Sequence, residues 1–215
     1  MPLIVLSEKT GPLEVFTYLV VCPISREALL VDPGGPAPAL SAHLNQESWQ
    51  VRWIVDTHGH ADHTAGNDLW AAQTGAPIVM HHLDWEFYRR PEMQAQAQAE
   101  GFPPLTRVDL PVADGHILPL GAWRAQVLHT PGHTPGAICL SLPGHLFTGD
   151  TLFVEAAGRT DLPGGSLDQL IRSLQEKIMP LPDDTRIWPG HDYGGQASST
   201  LGAEKLNNPY LTDFF

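Results

Sequence analysis

The sequence predicts an α/β fold assembled from many short strands. Three observations carry this. Gly and Pro number twenty each in a chain of 215 residues, above the combined background of about 12%, which implies frequent tight turns. Short runs of β-branched and aliphatic residues each end in a turn signal. Between residues 51 and 80 the order strand, helix, strand reads as a βαβ unit.

Residues 13–21 (LEVFTYLVV) and 28–31 (ALLV) read as paired strands. They are closed by Cys22-Pro23 and Asp32-Pro33-Gly34-Gly35. Residues 36–47 suit a helix, with Pro early and Leu40 and Leu44 one turn apart. A buried strand follows over 51–55, a helix over 62–73 stopped by Gly75-Ala76-Pro77, and a strand over 78–80. Residues 83–88 suggest a helical turn, and the Ala/Gln-rich 94–100 suits either helix or loop. From Arg107 onward strands dominate, at 123–128, 137–142 and 145–148. Residues 166–177 predict an amphipathic helix with Ser166 as N-cap and Leu170, Ile171 and Leu174 on one face. A last strand at 185–188 and a closing helix at 197–207 complete the chain. No composition shift marks a boundary, so a single domain over 1–215 is expected.

Composition excludes several functions. The formal net charge is −12 and no Lys/Arg cluster appears, which argues against nucleic acid and against anionic membrane surfaces. No apolar run approaches the ~20 residues that span a bilayer. The start has an apolar stretch at 3–6 but no basic segment or long apolar core, so no signal peptide is expected. Two cysteines, Cys22 and Cys139, make no disulfide framework. They read as packed thiols in a reducing, cytoplasmic compartment.

The eleven histidines carry the chemistry. Thr57-His58-Gly59-His60-Ala61-Asp62-His63 follows one strand and opens a helix. Imidazole nitrogen and carboxylate oxygen are the ligands that zinc and similar cations take. Residues two apart in extended chain point to one side, so His58 and His60 form one pair. Asp62 and His63, at the helix start, present a second. A polar helix cap with incidental histidines is the bland alternative. It leaves three further residues unexplained, each in a glycine turn after a short strand. These are His133 in Thr130-Pro131-Gly132-His133-Thr134-Pro135-Gly136, Asp150 in Thr148-Gly149-Asp150, and His191 in Pro189-Gly190-His191. Together they favour a shared site at one sheet edge.

With these residues assembled, the sequence resembles the metallo-β-lactamase fold superfamily over nearly its whole length. The resemblance implies a four-layer αββα sandwich of two mixed β-sheets with metal at the sheet edge. It also implies that His58, His60 and His133 hold one divalent ion, that Asp62, His63 and His191 hold a second, and that Asp150 bridges them. Two such ions, zinc foremost with iron or manganese as alternatives, generate a hydroxide near neutral pH and polarise a carbonyl. Asp62 beside that hydroxide is the catalytic candidate.

Gly149-Asp150-Thr151-Leu152-Phe153, Gly158-Arg159-Thr160-Asp161, Gly190-His191-Asp192-Tyr193 and the tail Ser198-Ser199-Thr200-Leu201-Gly202 with Asn208-Pro209 look like the glyoxalase II branch. They look equally like its persulfide dioxygenase relatives. The first reading implies a hydrolase of a small thioester such as a hydroxyacylglutathione. The alternative is a mononuclear Fe(II) dioxygenase acting on glutathione persulfide. The chain departs from typical glyoxalase II enzymes in one respect. The twenty-four residues after His191 contain Lys205 and no Arg, so their basic glutathione clamp is not expected here. Arg159 and Tyr193 remain as substrate contacts, with an ion pair to Asp161 or Asp192 as the competing role for Arg159. His81 and His82 read as surface residues or residues behind the site. His129 is placed to orient His133, and His43, His116 and His145 read as polar surface. The expected partner is a small molecule, and a homo-oligomer is left open.

Overall fold

The computed structural model describes residues 2–193 and 195–214. It has two six-stranded mixed sheets faced by helices. In the first half β1 (Ile4–Thr10), β2 (Val15–Cys22) and β3 (Glu27–Val31) form an antiparallel meander. Helix α1 (Pro38–Glu47) crosses to β4 (Gln50–Val55), which runs parallel to β3. Helices α2 (Ala61–Thr64) and α3 (Asn67–Thr74) lead to the parallel β5 (Ile78–His81). After α4 (His82–Tyr88) and α5 (Pro91–Ala99), β6 (Leu110–Val112) closes this sheet in the order β1-β2-β3-β4-β5-β6.

The second half runs β7 (Ile117–Leu120), β8 (Trp123–His129), β9 (Ile138–Leu142) and β10 (His145–Gly149). A small hairpin follows, β11 (Leu152–Phe153) with β12 (Ala156–Ala157). Helix α6 (Leu167–Ser173) continues as one π-turn through Ile178. Then come β13 (Arg186–Pro189), β14 (Ser199–Thr200), α7 (Leu201–Asn207) and α8 (Pro209–Thr212). The sheet order is β14-β13-β10-β9-β8-β7, with β10 and β13 parallel.

Side-chain alternation along the strands builds the layers. Phe16, Tyr18 and Val20 of β2 face Leu118, Val127, Leu140 and Phe147 of the second sheet. The intervening Leu19 and Val21 pack with Leu40, Leu44 and Trp70 of α1 and α3. On the far side Cys139, Leu146 and Ile187 pack with Leu170, Leu174 and Leu201. Each sheet therefore buries both faces, and the expected αββα sandwich is the observed one. Both cysteines are buried and unpaired. Among the described residues no helix is long and apolar enough to cross a membrane.

Several expectations need correction. The predicted helix over 62–73 is two helices broken at Ala65 and Gly66. The Gly66 amide donates to the Pro33 carbonyl, and a Cβ there would meet that oxygen. The break separates the single turn bearing Asp62 and His63 from the helix that packs on the sheet. Residues 94–100 are helical, within α5. The closing helix starts at Leu201 rather than 197, because Ser199 and Thr200 pair with β13 and Thr200 caps α7. Ser166 caps α6 as expected, accepting from the Gln169 amide.

Candidate metal centre

Topology explains why distant residues meet. Strands β3, β4 and β5 are parallel, as are β10 and β13. In such sheets the C-terminal strand ends share one edge, where loops are free to carry chemistry. Thr57 to His63 follow β4, Asp150 follows β10 and His191 follows β13. His133 joins them because β9 is antiparallel to β10, which puts the β8–β9 loop at the same edge. The two sheets are tied there by the Ile138 amide to the Thr57 carbonyl at 2.8 Å and the Phe16 amide to the Gly190 carbonyl at 2.8 Å.

The glycines beside the ligands act by close approach. Gly149 has φ +47° and lies against Thr57. Gly190 has ordinary φ, but a Cβ there would strike Asp150 Oδ1 and crowd the His63 ring.

All seven predicted residues come together. His58 Nε2 and His133 Nε2 each lie 3.0 Å from His60 Nδ1. His63 Nε2 and His191 Nε2 are 3.2 Å apart, with Asp62 Oδ2 at 3.7 and 3.4 Å from them. Asp150 sits between the two sets, Oδ1 3.4 Å from His63 Nε2 and Oδ2 3.6 Å from His133 Nε2 and 3.7 Å from His191 Nε2.

The outer ring nitrogens fix the tautomers. The Thr57 hydroxyl donates to Asp32 Oδ2 at 2.7 Å, so His58 Nδ1, 3.1 Å from it, is the donor of that pair. His63 Nδ1 donates to Asp32 Oδ2 at 3.0 Å, His133 Nδ1 to the Arg159 carbonyl at 2.7 Å, and His191 Nδ1 to the Leu13 carbonyl at 3.2 Å. Each ring then directs an Nε2 lone pair inward. Two such lone pairs facing each other at 3.2 Å, His63 against His191, require a proton or a cation between them. Asp150 Oδ1 is buried with no hydrogen-bond partner among the described residues. The donor set therefore fits a divalent metal, in three overlapping groups of three (His58, His60 and His133; His58, His63 and Asp150; Asp62, His63 and His191) whose ligand atoms lie within 4.8 Å of one another.

Among the side chains alone the carboxylates favour one positive charge in the cluster, carried by His63 when no cation is there. Burial and neighbouring rings hold His58 well down and His60 down to about 3, so both stay neutral and ligand-ready. Burial would also lower His63, but Asp150, Asp62 and Asp32 outweigh it and raise His63 to about 10. Burial would raise Asp62, but His63, His191 and His60 hold its carboxyl far below the usual range.

A cavity of about 500 Å³ opens over the cluster, lined by Asp62, His133, Asp150 and His191 at its floor. Arg159 and Tyr193 both line it. Arg159 is exposed and forks onto Asp161 with two 2.7 Å bonds, so the competing ion-pair role is the one observed. Tyr193 is 66% exposed and stacks on the His191 ring, centroids 4.9 Å apart. His129 does not orient His133; its Nε2 donates to the Pro135 carbonyl and its ring stacks on His81. His81 is buried, and His145 accepts a bond from the Trp188 indole, so neither is plain surface.

Two buried carboxylates that tie the candidate ligand loops together are not singled out by sequence reasoning. Asp32, in the left-handed region at φ +49°, binds Thr57 and His63. The Asp-Pro-Gly-Gly turn was its only signal. Asp84 accepts from the Gly59 amide at 2.8 Å, the Thr134 hydroxyl at 2.7 Å and the Gly136 amide, clamping the His60 and His133 loops together. Nothing in its local sequence marks it.

Residues 10–191 match the metallo-beta-lactamase superfamily model. The chain is 36% identical over 201 residues to human persulfide dioxygenase ETHE1, mitochondrial, covering 92% of this chain and 71% of that protein. It is 37% identical over 182 residues to a hydroxyacylglutathione hydrolase of Polaromonas sp., covering 83% of this chain and 62% of that protein. The crystal structure of TTHA1623 in a di-iron-bound form superposes with a TM-score of 0.80 at 33% identity, covering 96% of this chain and all of that one. The chain belongs to the metallo-β-lactamase superfamily, on the branch whose relatives include hydroxyacylglutathione hydrolases and persulfide dioxygenases.

Proposed function

We propose that residues 1–215 form one domain that hydrolyses a small thioester with the aid of two divalent metal ions. The observation that carries this is the sharing of Asp150 between two complete three-residue sets. In this reading His58, His60 and His133 would hold one ion and Asp62, His63 and His191 the other, with Asp150 within reach of both sets. Ions held there supply Lewis acidity toward the thioester carbonyl and acidify water at neutral pH.

The chain's own residues supply the rest. Asp32, Thr57 and the carbonyls of Leu13 and Arg159 lock four imidazoles in the ligand tautomer. Asp62, which lines the cavity, orients the attacking water and accepts its proton. A carbon–oxygen bond forms at the carbonyl, the carbon–sulfur bond breaks, and the proton passes to the departing sulfur. The substrate enters over Tyr193 and Phe153, whose rings meet edge-on at 5.0 Å beside His191.

The test is thiol release from a panel of thioesters by metal-reconstituted protein, with ion identity and stoichiometry measured on the same sample. About two ions per chain and turnover support the reading. No turnover on any thioester overturns it. The second reading, an iron-dependent persulfide dioxygenase, is favoured by the similarity to the human enzyme over 92% of this chain. It predicts oxygen consumption with a persulfide and about one iron per chain.

A further inference from the structure

The outer part of the cavity differs in character from its floor. Its wall is built by α5, the segment after it, and the loops that face them. Met93 and Ala97, one turn apart on α5, together with Phe102, Leu105, Phe153 and Leu162, line this part. Helix α5 has no fully buried residue: Met93 packs in part against the cluster of Met80, Tyr88 and Leu105, and the half-buried Met93 and Ala97 both line the cavity. Elsewhere in the fold, helices α1, α3, α6 and α7 all bury apolar side chains against a sheet.

Charge on this wall is equally specific. Glu100, exposed at the end of α5, lines the cavity. Apart from the histidines at the floor, Arg159 is the one cationic side chain among the described lining residues. Both arms of its fork are already bound to Asp161. Lys205, the one lysine after His191, is turned to Asp183 at 2.6 Å and to the Leu181 carbonyl. Arg89 and Arg90 lie over the Trp85 and Phe87 rings and do not line the cavity. A ligand carrying two carboxylates, as any glutathione derivative does, finds among the described lining residues one non-histidine cation, already engaged by Asp161, and meets the Glu100 carboxylate.

We propose that this wall selects a substrate whose non-reacting part is apolar and carries no carboxylate, so that the thiol is an uncharged one rather than glutathione. The proposal takes its reaction from the hydrolase reading, and its selectivity from the wall alone. Burying the chain of such a ligand against Met93, Phe102 and Leu105 removes apolar surface from water on both sides. A glutathione moiety placed there brings two carboxylates and one ammonium; Glu100 can pair with the ammonium only, and the carboxylates lose water against a wall whose one arginine is engaged by Asp161.

The test separates binding from turnover. Two non-hydrolysable thioethers, S-hexyl-N-acetylcysteamine and S-hexylglutathione, are titrated into the metal-loaded chain by calorimetry. The hexanoyl thioesters of the same two thiols are compared for kcat/KM. The uncharged thioether is expected to bind about tenfold or more tightly. The double variant Glu100→Gln, Asp161→Asn removes two carboxylates, one from the wall and one from Arg159, whose guanidinium it frees, and is expected to narrow that ratio. Equal or tighter binding of S-hexylglutathione by the unaltered chain, or a ratio the double variant does not move, overturns the proposal. If the binding preference holds while neither thioester is cleaved, the selectivity stands and the hydrolase reading fails.

Discussion

Replacing Asp32 by Asn tests whether the inner nitrogens are held ready for metal by their outer partners. Asp32 Oδ1 accepts from the Thr57 amide at 2.7 Å, while Oδ2 accepts from the Thr57 hydroxyl at 2.7 Å and from His63 Nδ1 at 3.0 Å. An amide has one acceptor where the carboxylate has two. With its nitrogen at the Oδ1 place, it confronts the Thr57 N–H, and a buried donor is left unpaired at a cost of about 1–3 kcal/mol. With its nitrogen at the Oδ2 place, it confronts His63 Nδ1. The His63 proton must then move to Nε2, the atom that faces His191 and Asp150, and that nitrogen can no longer bind a cation. Loss of such an orienting partner costs about 10- to 100-fold in metal affinity, or roughly 1.4–2.7 kcal/mol. The assay is a metal titration against a chelator of known affinity, with ions counted after desalting. One ion is expected to be retained near wild-type affinity and the other weakened. The melting temperature should fall by about 2–4 °C for each kcal/mol lost. Two ions bound within threefold of wild-type affinity would refute the tautomer argument.

Other perturbations follow from the same geometry. Asp62→Ala should cost about 10²-fold or more in turnover and release one ion, read by kcat and by metal content; full activity with a single ion would shift the assignment to the first set. Chelation should lower the melting temperature, by about 2.7 kcal/mol equivalent when free metal had stood at a hundred times its Kd, because binding energy is lost and Asp32, Asp62 and Asp150 are left to share the one charge of His63; an unchanged melt contradicts tight binding. Burial raises Asp84 to about 6 despite its three donors. The folded chain then holds that proton more tightly than the unfolded chain, so stability falls as pH rises from about 4 through 6. Asp84→Asn should flatten that segment of the melting profile, and an identical slope in the variant would show the titration to lie elsewhere. Asn208 donates to the Phe153 and Ala156 carbonyls at 3.1 and 3.0 Å and to Glu204 at 2.9 Å. Asn208→Asp sets a carboxylate against those acceptors and should destabilise the chain by about 3 kcal/mol or more, measured by denaturant unfolding.

How much of this was legible depended on whether a signal is local. The ligands were readable because metal chemistry restricts residue type and because each sits in a glycine turn directly after an apolar strand. His58, His60, Asp62 and His63 need only one chain segment to announce themselves. Strand runs such as Val15–Cys22, buried at every position, were visible as continuous apolar sequence. The break in the helix expected over 62–73 is not legible because Gly66 is required by a contact with Pro33, thirty-three positions away, and spacing carries no trace of that. The same holds for Gly190, whose hydrogen in place of a Cβ makes room for Asp150 Oδ1.

Asp32 and Asp84 show the limit most plainly, and why it matters for reading function. Neither is expected to bind metal, yet each holds ligand segments that are far apart in sequence. Asp84 joins residue 59 to residues 134 and 136, and Asp32 joins Thr57 and His63 to the end of β3. A carboxylate can do this because two oxygens accept three or four donors, and burial keeps water from competing for them. The work is geometric: a metal site tolerates little displacement of its ligands. Seven candidate ligands on four separate loops could not hold still through their own backbone alone. The sequence therefore displays the atoms that would touch the metal and conceals those that hold them. That concealment has a cause, since a holding residue is defined by its partners across the fold and not by its neighbours along the chain.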